Sequence, residues 1–128
     1  MKLIDAHIHF SDAEYAEHTE QLVAEARDSN VVALVSNSMD LKTSIGNLKL
    51  AEKYPSLIYP ALGIHPWNVN VLQENELENV VKLIRENSQR QAVTAIGEIG
   101  LDYKYEAIWD KQLAVFDTML HLAEELGL

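Results

Sequence analysis

The residues best suited to chemistry lie at the start of the chain, in Asp5-Ala6-His7-Ile8-His9. In a strand, successive side chains point to opposite faces, so Asp5, His7 and His9 share one face and the apolar Ile4, Ala6 and Ile8 take the other. A single buried histidine would be read as a satisfied core residue. Two imidazoles ending one strand each need partners for their ring nitrogens. The pair His7 and His9 is therefore expected to bind a divalent metal, with neutral imidazole nitrogens suited to Zn, Mn, Ni or Fe. Asp5, one pleat deeper, is expected either to hydrogen-bond behind the ligands or to serve structure alone.

The second signal is Ala95-Ile96-Gly97-Glu98-Ile99-Gly100-Leu101-Asp102-Tyr103. Glu98 interrupts an apolar run flanked by glycines, where a lone carboxylate is costly to bury and a cation beside it removes the cost. The glycines fit tight backbone packing, a bulge or the close approach of a ligand. Glu98 is thus the third expected metal ligand, with Asp102 a supporting residue behind the site. In Gly63-Ile64-His65-Pro66-Trp67, His65 is either the polar end of a strand or a group at the rim that binds a phosphate oxygen or transfers a proton. Trp67 either stacks on a base of the substrate or covers the top of the core. His18 and His121 fall within helical segments and are expected to do no chemistry.

The elements that must position these residues alternate regularly. Apolar β-branched runs are expected at Leu3 to Phe10, Val31 to Val35, Leu57 to Ile64 and Ala92 to Ile99. The second reads as buried on both faces, and Pro60 reads as a break in the third. Helical spacing follows each run. The first helix has Ser11 and Asp12 as caps and a stripe of Tyr15, His18, Leu22, Val23 and Ala26. The second runs from Leu41 to Tyr54, closed by Pro55. The third has Leu77, Val80, Val81 and Ile84 inward. The last starts near Glu106, with Trp109, Leu113, Phe116, Leu120 and Ala123 inward and Gly127 at its C-cap. This β-α-β-α-β-α-β-α order predicts a parallel sheet with right-handed crossovers, either open and doubly wound or part of a barrel. In a barrel, sites lie at the C-terminal ends of the strands, where His9, His65 and Glu98 fall.

Bulk properties narrow the function. The chain has 128 residues and no cysteine, so one domain is expected and thiolate metal sites and disulfides are excluded. A net charge of −10 argues against nucleic-acid binding through a free-standing basic patch. Bound cations could still supply positive charge at one local site. No apolar run reaches the ~20 residues of a membrane span, and a cytoplasmic location without membrane contact is expected.

Three motifs, DAHIHF at 5–10, ALGIHPW at 61–67 and AIGEIGLDY at 95–103, together resemble the TatD family of metal-dependent deoxyribonucleases and hydrolases. The resemblance covers essentially the whole chain. It implies a (β/α)₈ TIM-type barrel with one or two divalent ions (Mg, Mn or Zn), His7 and His9 on one metal and Glu98 bridging both. His65 would sit near the scissile phosphate, making Glu98 and His65 the catalytic residues and His65 and Trp67 the substrate contacts. The implied reaction is cleavage of DNA or another phosphodiester by metal-activated water. Asn68 and Trp109 depart from the family, which often has an acidic residue and an arginine there.

Residues 1–128 supply only the first four β/α units, the N-terminal half of such a barrel. The expected outcomes are a truncated form of a longer enzyme, a homodimer that completes the barrel, or an open sheet with a remnant site. The family's later His ligands and final Asp are not in this sequence, so the chain by itself is expected to be weakly active or inactive. Two alternatives stand beside the nuclease reading: an amidohydrolase acting on C–N or ester bonds, and a non-catalytic metal-binding half-barrel.

Overall fold

A computed structural model describes residues 1–128. Four strands, β1 (Leu3–Ile8), β2 (Val31–Asn37), β3 (Ile58–Leu62) and β4 (Ala95–Ile96), alternate with helices α1 (Thr19–Asp28), α2 (Leu41–Lys53), α3 (Glu76–Ser88) and α4 (Trp109–Leu126). Short 3-10 turns occupy Ala13–Tyr15, Pro66–Val71 and Tyr103–Ile108. The strands pair in parallel in the order β1-β2-β3-β4, which makes a half-barrel with a concave face. All four C-terminal strand ends lie on one rim.

The helices pack on the convex face through two apolar clusters. One joins Leu62, Ile64 and Val93 to Val80 and Ile84 of α3 and to Val115, Met119 and Leu122 of α4. The other gathers Phe10, Val23, Leu34, Leu57 and Ile58 under α1 and α2. The expected stripe of α3 matches, with Val80 and Ile84 fully buried and Leu77 and Val81 partly so. Helix α2 starts at Leu41 because Asp40 closes a capping box: its carboxylate accepts the Thr43 amide at 2.8 Å, and the Asp40 amide donates to the Thr43 hydroxyl at 3.0 Å. Gly127 ends α4 at φ +67°, a conformation that glycine adopts without strain.

Five sequence expectations change. In α4 the buried stripe is Gln112, Val115, Met119 and Leu122, while Leu113 is 41% and Leu120 47% exposed. The helix carries apolar residues on two adjacent stripes, and Gln112 selects between them. Its amide accepts the Asp102 N–H at 2.7 Å and donates to the carbonyls of Asp102 and Tyr105, an arrangement that requires it to face inward. Helix α1 begins at Thr19 rather than after Asp12, because a 3-10 turn intervenes. Of Val31 to Val35 only Leu34 is buried: Val31, Ala33 and Val35 alternate with it toward the concave face, which has no layer opposite it, and Val32 is 39% exposed.

Pro60 lies inside β3, in register with Ser36 of β2. Its carbonyl accepts the Thr94 amide at 2.9 Å, so its missing donor faces the β4 side, ahead of the first paired residue there. Finally, β4 pairs over Ala95–Ile96 alone, because the chain beyond it leaves β3 to cross the top of the sheet.

Candidate metal centre

Strand β1 carries Asp5 and His7, His9 follows just past its end, and the segment is anchored where the Phe10 amide donates to the buried Ser36 hydroxyl at 3.1 Å. Three donor atoms then meet: His7 Nε2 lies 3.3 Å from His9 Nε2, and each lies 3.1 Å from Oε2 of Glu98. For metal–ligand bonds of about 2.0–2.2 Å, the ligand–ligand edges are roughly 3.3–3.6 Å around a tetrahedral ion and roughly 2.8–3.1 Å around an octahedral one. The observed triangle falls within this span, so the donor set fits one divalent cation.

Hydrogen bonds fix the proton positions of two imidazoles in opposite ways. His9 Nδ1 is 3.1 Å from the carbonyl oxygen of Asn37, which can only accept, so Nδ1 carries a proton and the neutral ring presents its lone pair at Nε2. In the neutral ring that lone pair faces the Glu98 oxygen, a pair of electron-rich atoms that a shared cation would hold together. His65 is reversed. It caps the Pro66–Val71 turn, and its Nδ1 accepts the Trp67 amide at 3.1 Å. Its proton therefore sits on Nε2 and points to Oε1 of Glu98 at 3.2 Å. Burial, with only 8% of His65 exposed, holds its pKa below the ordinary histidine value; the Glu98 charge opposes this. Glu98 thus spans the site, Oε2 to the His7–His9 pair and Oε1 to His65. The Gly97–Glu98 peptide bond is cis.

The other expected residues lie further out. Asp5 accepts the backbone amide of His7 at 3.0 Å and touches no imidazole. Asp102 also stays away from the triangle and accepts the Trp67 indole N–H at 2.6 Å. This bond, then the Lys104 amide, holds the Asp102 carboxyl below its usual range. Trp67 is 51% exposed, with its ring edge-on to His65 at 4.9 Å and tilted against Tyr105 at 5.9 Å. His18 does not fall within a helix as expected but occupies the N-cap position just before α1, because the helix starts late; His121 lies within α4 and bonds only within that helix.

Sequence reasoning missed three contributors: the Asn37 carbonyl, Ser38, whose carbonyl accepts the Glu98 amide at 2.9 Å, and Gln112, which holds the Asp102 backbone. A backbone carbonyl leaves no signature in residue type. Gln112 could have been found, because it lies at helical spacing with Val115, Met119 and Leu122, the one polar side chain of that stripe.

Comparison with known proteins agrees with this architecture. The family model described as TatD related DNase matches residues 4–128. An uncharacterized metal-dependent hydrolase of Methanocaldococcus jannaschii is 34% identical over 127 residues, 99% of this chain and 48% of the relative. A 3'-5' ssDNA/RNA exonuclease TatD of a Pantoea species is 32% identical over 98% of this chain and 47% of its own length. The crystal structure of a TatD homolog from Escherichia coli superposes with a TM-score of 0.83 at 28% identity, covering 98% of this chain and 48% of that one. The chain thus spans about half the length of the relatives it matches. With the half-barrel, the donor triangle on its rim and the family match in agreement, the chain belongs to the TatD related DNase family.

Proposed function

We propose that His7, His9 and Glu98 hold a divalent cation and that the site serves hydrolysis of phosphodiester bonds in single-stranded nucleic acid. The observation that carries this reading is the convergence of His7 Nε2, His9 Nε2 and Glu98 Oε2 within 3.1–3.3 Å of one another, with Nδ1 of His9 turned to the Asn37 carbonyl. When bound, such a cation supplies Lewis acidity toward a phosphate oxygen and lowers the pKa of a coordinated water. Glu98 is the residue that a second ion, if one binds, would share with the first.

The chain's own residues account for the remaining steps. His65, neutral and protonated at Nε2, donates a hydrogen bond to an anionic oxygen of the substrate. Its capping bond to Trp67 prevents rotation that would turn the lone pair inward. Trp67 offers an exposed ring face, with its N–H satisfied by Asp102, on which an unpaired base stacks; such stacking contributes about 1–3 kcal/mol per base. A cation held by these residues would offset, at this one place, the repulsion between an anionic substrate and a chain of net charge −10.

Relatives of twice the length suggest that further β/α units close the concave face, from the same chain or from a second copy. Native mass measured with bound-metal stoichiometry separates these cases. No helix is long and apolar enough to cross a membrane, and we assign the site to the cytoplasm.

The test compares a base-free phosphodiester, a single-stranded oligonucleotide and a lactone under Mg²⁺, Mn²⁺ or Zn²⁺, for wild type and His9→Ala. Metal-dependent turnover of the phosphodiesters that is lost in His9→Ala supports the reading. Turnover of the lactone alone refutes it in favour of C–N or ester hydrolysis. Metal binding without any turnover leaves this chain a non-catalytic half of the site.

A further inference from the structure

Glu98 follows β4 while His7 and His9 lie at the end of β1, the two outer strands of the sheet. Three strand spacings separate those strands, ~14 Å along a flat sheet, yet the carboxylate and the imidazoles are 3.1 Å apart. Curvature of the half-barrel supplies part of the approach. A crossing at the rim supplies the rest. The β3–β4 ladder ends when the Gly97 amide donates to the Leu62 carbonyl at 3.0 Å. The next amide, that of Glu98, reaches past β3 to the Ser38 carbonyl at 2.9 Å, at the end of β2.

Ser38 is fully buried and joins three strand ends. Its amide donates to the Ala61 carbonyl at 3.0 Å and lies 3.4 Å from that of Gly97. Its hydroxyl oxygen accepts the Gly63 amide at 2.9 Å and the Ser44 hydroxyl at 2.8 Å, and its own proton points to the Gly63 carbonyl at 3.3 Å. Gly63 leaves the space the crossing requires. A Cβ there would stand 2.8 Å from the Glu98 carbonyl oxygen and 2.9 Å from Cγ2 of Ile99.

We propose that Ser38 is the positioning residue for Glu98: its buried hydroxyl pins Gly63 beneath the crossing strand and so holds the Ser38 carbonyl where the Glu98 amide meets it. The consequence for a metal rests on the reading of His7, His9 and Glu98 as ligands; the latch itself does not. Groups that orient a ligand typically change metal affinity 10–100-fold when lost.

The experiment uses the 128-residue chain as wild type, Ser38→Ala, Ser38→Cys and Val80→Ala. Val80, on α3, is fully buried in the core cluster under the sheet and controls for lost stability. Amide exchange by ¹⁵N NMR reads the latch directly. In Ser38→Ala, exchange at Gly63 and Glu98 rises at least tenfold relative to Gly97, and Zn²⁺ affinity, measured by chelator competition, falls 10–100-fold. Ser38→Cys, close in size and weaker in hydrogen bonding, recovers part of both. Val80→Ala changes neither pattern. Wild-type protection at Glu98 in Ser38→Ala overturns the proposal, as does an equal effect in Val80→Ala. If Ser38→Ala fails to fold, Ser38→Cys decides by the same comparison of Glu98 with Gly97. A wild type that does not bind Zn²⁺ refutes the metal centre, while the exchange data still decide the latch.

Discussion

Glu98→Gln keeps the shape of the side chain and an oxygen in place while removing its charge. The triangle of His7 Nε2, His9 Nε2 and Glu98 Oε2 has edges of 3.1–3.3 Å and contains this single anion. Loss of a group that merely orients a ligand costs 10–100-fold in metal affinity, so loss of the charged ligand itself costs at least about 100-fold. With Zn²⁺ held at about 100 times the wild-type Kd, binding stabilises the native state by about 2.7 kcal/mol. For a domain of this size each kcal/mol moves Tm by roughly 3–5 °C, so wild type gains about 8–13 °C. In Glu98→Gln the same Zn²⁺ concentration only equals the weakened Kd, and the gain shrinks to about 0.4 kcal/mol, roughly 1–2 °C. Calorimetric melts of each protein in EDTA supply separate baselines, which removes any effect of the substitution on the metal-free fold. Equal Zn²⁺-induced shifts in both proteins would refute the assignment of Glu98, and no shift in wild type would refute the metal centre.

Three further outcomes follow from the geometry. Long-range ¹H–¹⁵N spectra of the metal-free protein near pH 7.5 should find the proton of His9 on Nδ1 and that of His65 on Nε2; the same tautomer for both contradicts the opposed roles. Met119→Ala should cost about 2–5 kcal/mol in urea unfolding, because the side chain is fully buried, whereas Leu120→Ala at 47% exposure should cost about 0.5 kcal/mol. The reverse order would restore the other stripe of α4. Asp102 has a folded pKa below its unfolded value, so its contribution to stability is full above the ordinary carboxylate range and is lost as pH falls through the lowered folded value. Asp102→Asn should flatten that part of the stability profile and shift Trp67 emission at neutral pH; unchanged emission would mean that the indole bond is absent in solution.

Much of this protein was legible from residue order. Alternating apolar runs and helical stripes specify four β/α units, because side-chain period and strand length are local properties. Pro55 after the second helix and Gly127 past the last mark boundaries for the same reason. The alternation His7-Ile8-His9 places both rings on one face of β1, and the three motifs together indicate a family.

Tertiary structure decided what depends on distant partners. The face of α4 that turns inward follows from Gln112 meeting the Asp102 backbone, a contact that no periodicity contains. Asp102 proves to hold Trp67, and Asp5 the backbone of His7, since which groups meet is set by strand placement and not by motif. The carbonyl of Asn37 and the amide of Trp67, both backbone groups, assign opposite tautomers to His9 and His65. Glu98 reaches the histidines of β1 because Gly63 leaves room and Ser38 ties the crossing strand. The sequence by itself determined which residues could bind a metal; only the packing of three strand ends around one buried hydroxyl brought them within bonding distance of a common point.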